Sequence, residues 1–105
     1  MSNLEIGKEI LRQLGGNKFI AMTGAKQFLA DDNKLMFRLP RADNGINRVV
    51  IALNSKDLYD ISFERFTVSN KTLETKQIIK ATFEDIYCDQ LVEIFEKTTK
   101  LYTSL

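Results

Sequence analysis

Residues 49–64, VVIALNSKDLYDISFE, decide the fold. Tyr59, Ile61 and Phe63 alternate with Asp60, Ser62 and Glu64, and before them Val49, Ile51 and Leu53 open another strand within an aliphatic run. A period of two sends one set of side chains into a core and the other to the opposite face of a β-strand. The polar link Asn54-Ser55-Lys56-Asp57 is of hairpin length, so the two runs are expected to pair antiparallel.

The same pattern extends upstream. Leu35, Phe37 and Leu39 alternate with Met36 and Arg38, and Pro40 ends that strand because proline cannot donate to a ladder. Asp31-Asp32-Asn33-Lys34 reads as the turn before it, and residues 41–47 as a polar loop in which Asn44-Gly45 suits a tight turn. Phe19-Ile20-Ala21-Met22-Thr23 is a short apolar run expected to enter the sheet, with Gly24 turning the chain before Gln27-Phe28-Leu29-Ala30. Downstream, residues 73–81 admit both strand and helix, and Gln77-Ile78-Ile79-Lys80-Ala81 is read as a fifth strand.

Helices are expected at both ends. Ser2-Asn3-Leu4-Glu5 fits a capping box with Ser2 as N-cap. Leu4, Ile6, Ile10, Leu11 and Leu14 then share one side of a helical wheel, and Gly15-Gly16 stops the helix. Thr82-Phe83-Glu84-Asp85 reads as a second helix start, with Phe83, Ile86, Tyr87, Leu91, Ile94, Phe95, Thr98 and Leu101 as a continuous apolar stripe. The expected architecture is one α+β domain over residues 1–105. It has two layers, an antiparallel meander of four to five strands with an N-terminal and a C-terminal helix on one face.

Composition narrows the function classes. The 105 residues, 44% hydrophobic and 28% charged, have the balance of one globular domain. The longest aliphatic run, Val49 to Leu53, is far below the roughly 20 residues that cross a bilayer. MSNLEIGKEI carries acidic residues where an export signal has basic ones, so the cytoplasm is expected and no membrane partner. The formal net charge is +1, yet its distribution is uneven. Residues 12–80 hold twelve basic and seven acidic side chains, whereas residues 81–105 hold two and five.

Catalytic constellations fail on residue type and spacing. Histidine is absent, which removes Ser-His-Asp and Cys-His arrangements and His-ligated zinc. With one cysteine, a Cys₄ zinc site cannot form within one chain. Cys88, placed on the second helix beside its stripe, is expected to be an inert, partly buried thiol. Asp31-Asp32 and Glu84-Asp85 sit where a turn and a helix start favour acids locally. In 14–28, LGGNKFIAMTGAKQF, Gly24 is followed by Ala25, Lys26 and Gln27 instead of the Lys-Ser/Thr of a P-loop. Neither a catalytic nor a metal or cofactor site is expected, and no small-molecule substrate is indicated.

Two binding readings remain. Lys34, Arg38, Arg41 and Arg48 lie within fifteen residues with only Asp43 against them, and Phe66 falls on the polar side of its strand. A sheet face mixing basic and aromatic side chains can bind nucleic acid. Two helices cover one sheet face only, so Met36, Val50, Ala52 and Phe66 would leave the other partly apolar, which suits a homo-oligomer. Residues 14–28 and the carboxyl end YCDQLVEIFEKTTKLYTSL, 87–105, resemble small proteins encoded on phages, prophages and other mobile elements. That resemblance implies an accessory protein and no particular activity. The expected function is a non-enzymatic interaction module acting by binding, self-association leading and nucleic acid the alternative.

Overall fold

The computed structural model describes residues 3–40, 42–69 and 71–101. Helix α1, Asn3–Leu14, forms on the stripe expected for it: Ile10 and Leu14 are buried, Ile6 and Leu11 half-buried. Leu4 departs from that stripe and stands exposed, while Ser2, the expected cap, lies outside the described residues. On the polar side Glu9 accepts hydrogen bonds from Arg12 and Gln13, which pull its carboxyl down to about 2.

The run Phe19 to Thr23 does not enter the sheet. It belongs to a second helix, α2, Gly16–Thr23, set off from α1 by Gly15. Phe19 and Thr23, four apart, both point inward, and Gly24 closes the helix in the left-handed conformation with its amide on the Ile20 carbonyl at 2.9 Å. A five-residue apolar run carries too little periodicity to separate helix from strand. The glycine pair therefore ends one helix and opens the next.

Five strands follow as a simple meander: β1, Lys26–Asp31; β2, Lys34–Arg38; β3, Arg48–Leu53; β4, Tyr59–Val68; and β5, Thr75–Ile86. They pair antiparallel in the order β1-β2-β3-β4-β5. The hairpin read from residues 49–64 is present, with Val49 opposite Phe63, Ile51 opposite Ile61 and Leu53 opposite Tyr59. Residues 77–81 are strand. Both edge strands carry register shifts, β1 between Lys26 and Leu29 and β5 in its pairing with β4 beyond Ile79 and near Asp85.

The expected helix from Thr82 is corrected. β5 continues through Thr82, opposite Ser62, and Phe83, opposite Ile61, to Ile86, opposite Tyr59. The bulge places Phe83 and Ile86 three apart, which imitates helical spacing in the sequence. The carboxyl-terminal helix, α3, spans only Leu91–Thr99 and is preceded by a 3-10 turn, Cys88–Gln90. Cys88 is accordingly exposed on that turn rather than partly buried on a helix.

All three helices cover one face of the sheet. Ile10, Leu14, Phe19, Leu91 and Phe95 meet Leu35, Phe37, Val49, Ile51, Ile61 and Phe63 in a single core. Phe95 sits at its centre, with ring centroids 5.1 Å from Phe19 and 6.4 Å from both Phe37 and Phe63. The α+β two-layer architecture is thus present, with a third, short helix in the helical layer.

Gly7 fixes how closely α1 approaches β1. A Cβ at this position would stand 2.7 Å from the Ala30 Cβ, an atom one bond from its backbone. Gly7→Ala gains up to about 1 kcal/mol of helix propensity but overpacks this contact, at about 1–3 kcal/mol. The expected result in urea denaturation is a net loss, which Ala30→Gly in the same chain should largely recover.

Candidate functional site

The sheet's other face carries no helix, and its side chains are set in rows by strand register. The first row crosses four strands: Lys26 opposite Arg38, Arg38 opposite Arg48, and Arg48 opposite Glu64. The middle row runs Leu29, Met36, Val50, Ser62 and Thr82. The far row holds Asp31, Lys34, Ala52 and Asp60. Neighbouring strands stand about 4.8 Å apart, so three cations lie side by side in the first row. Like charges directly opposite each other are unfavourable.

Glu64 compensates one of them. Its side chain is only 6% exposed, with Oε1 3.4 Å from Arg48 Nε. Ser62 Oγ donates to Oε2 and Gln77 Nε2 to Oε1, each at 2.9 Å. Beyond Glu64 on the same face of β4, the Phe66 ring takes the Arg48 and Arg38 guanidinium carbons at 5.2 and 5.7 Å from its centroid. Asn47 holds this part of β4: its side chain donates to the Phe66 carbonyl at 2.8 Å and accepts from the Phe66 amide at 2.7 Å.

The expected basic cluster is only partly assembled. Arg38 and Arg48 come together around Phe66, half-buried. Lys34 lies four residues from Arg38 along β2, about 13 Å away, in the far row opposite Asp31. Arg41 lies outside the described residues. Lys26, absent from the expected set, joins the cluster because β1 changes register after it, at Gln27 with φ 55°. No alternation in the sequence announces that bulge.

The opposite end of the face has acidic character. Asn54 Nδ2 donates to both Asp60 Oδ1 and Asp85 Oδ1, at 3.1 and 2.9 Å. Lys56 Nζ pairs with Asp85 at 3.0 Å, which raises the lysine above its ordinary range. Two shallow depressions flank the middle row. One, about 230 Å³, is lined by Gln27, Leu29, Met36, Arg38 and Arg48. The other, about 220 Å³, is lined by Val50, Ala52, Asp60, Ser62, Thr82 and Glu84.

Among the described residues no group of three Cys, Asp or Glu side chains could hold a metal ion, and no helix is long and apolar enough to cross a membrane. Compared with protein-family models, curated proteins and solved structures, the chain matches none.

Proposed function

We propose that the chain is a non-enzymatic interaction module, of the accessory kind that residues 14–28 and 87–105 resemble, that self-associates through the open face of the sheet. The observation that carries this reading is the order of the rows. The apolar part of the middle row, Leu29-Met36-Val50, lies between a row of net positive charge and an end where Asp31, Asp60, Glu84 and Asp85 outnumber Lys34 and Lys56. A two-fold axis lying across the strands along the middle row brings that row against itself. It also sets each first row opposite the partner's far row, with Lys26 against Asp31 and Arg48 against Ala52, while Arg38 meets Lys34 and Glu64 meets Asp60. The apolar row is self-complementary, as a two-fold contact requires.

Sedimentation equilibrium at low and high salt tests the assembly. The expected result is a dimer at both salt concentrations, because the apolar row carries the contact. Val50→Asp should give a monomer with an unchanged fold by circular dichroism, since it places a carboxylate in the apolar row of both copies. Lys26→Glu and Asp31→Lys should each weaken the dimer, and together restore part of it. A wild-type protein monomeric at the highest concentration in low salt overturns the reading.

A further inference from the structure

β4 and β5 continue past the edge of the sheet as a two-stranded ribbon. β3 ends its pairing with β4 at Arg48 opposite Glu64, whereas β4 and β5 go on through Arg65 opposite Ile78, Thr67 opposite Lys76 and Val68 opposite Thr75. The paired ribbon reaches about 13 Å beyond Glu64, four residues to Val68 at about 3.3 Å per residue. Its turn is closed by the Ser69 amide on the Glu74 carbonyl at 2.9 Å and the Leu73 amide on the Ser69 carbonyl at 2.8 Å. Val68, Leu73, Ile78 and Ile79 are all about half or more exposed.

Its charge is one-sided. Residues 65–80 contain Arg65, Lys71, Lys76 and Lys80 against Glu74 alone. Among the described residues none of the three lysines is paired with a carboxylate. Arg65 is anchored, its guanidinium donating to the Gly45 carbonyl at 3.1 Å. It thereby braces the ribbon's base against the turn at Asp43–Gly45.

We infer that this ribbon is a nucleic-acid contact, with Lys71 and Lys76, on the arm, and Lys80, in the bulge at its base, on the phosphates of a DNA duplex. The major groove, about 12 Å wide, admits a two-stranded ribbon. Unpaired cations on a projecting arm gain most from a polyanion, through counterion release. An anionic membrane shares that attraction but needs one continuous apolar side. Here consecutive Ile78 and Ile79 point to opposite sides of the ribbon. The contact uses none of the residues that form the proposed self-association surface.

Fluorescence anisotropy with a labelled 20-base-pair duplex at several salt concentrations tests it. The wild type should bind at 50 mM salt and lose affinity steeply toward 200 mM. The triple variant K71Q/K76Q/K80Q should bind more than tenfold more weakly at 50 mM. Its log–log salt slope should be shallower by about 2.7, for three phosphates at about 0.9 each. Lys97→Gln, on the opposite layer, should bind as the wild type does. No duplex binding at 50 mM salt overturns the inference, as does a triple variant that binds equally well. Binding to phosphatidylserine vesicles without binding to duplex overturns it in favour of a membrane. Sedimentation of the triple variant reads self-association separately, so the two readings fail independently.

Discussion

Phe95→Ala is expected to lower the free energy of unfolding by about 3–5 kcal/mol, the range for deleting a fully buried phenylalanine. Whole domains have only about 5–15 kcal/mol, so this one change removes a large share. The reason is position. Phe95 is 0% exposed and touches Phe19 from α2, Phe37 from β2 and Phe63 from β4. Together with Leu91 it holds the nine-residue α3 to the rest of the core. Urea denaturation should show the loss as a lower midpoint with a similar slope. Phe95→Leu, which keeps much of the apolar area, should cost less.

Arg48→Met is expected to destabilise the chain by about 1–3 kcal/mol, although Arg48 stands on the open face. The cost arises at its neighbour. Glu64 is 6% exposed on its side chain and would keep only the Ser62 and Gln77 donors. A buried carboxylate stripped of its cation bears most of its desolvation cost. The Phe66 ring would also lose the nearer of its two cations. Glu64→Gln alone should cost less, because Arg48 is 27% exposed and water can solvate it. The double variant R48M/E64Q should recover much of the loss. A double-mutant cycle by chemical denaturation measures the coupling, and strictly additive effects would contradict this account.

The central meander was legible because alternation and turn chemistry agree there. Leu35, Phe37, Val49, Ile51, Tyr59, Ile61 and Phe63 were expected on one buried face and lie there. The errors fall where a local irregularity changes the period. Phe19 and Thr23 are one helical turn apart within a run too short to show it. Phe83 and Ile86 are strand residues put out of step by a bulge, so they read as a helix. The site was legible to the same extent: Arg38, Arg48 and Phe66 share a face by parity along their strands. Glu64 also follows from parity, but its burial depends on the Ser62, Arg48 and Gln77 partners that three strands bring to it. Lys26 depends on the bulge at Gln27, which no residue pattern marks.

Those register shifts have a consequence for how copies of the chain can grow. A sheet with straight outer strands can add neighbours indefinitely and build fibres. Here both outer strands break step, β1 after Lys26 and β5 at two points along its length. Each interruption removes the even ladder that an incoming strand would need. Lateral growth is disfavoured at these interruptions, while the face between the margins stays open. The self-association proposed above is therefore expected to close in pairs and not to extend from the sheet edges.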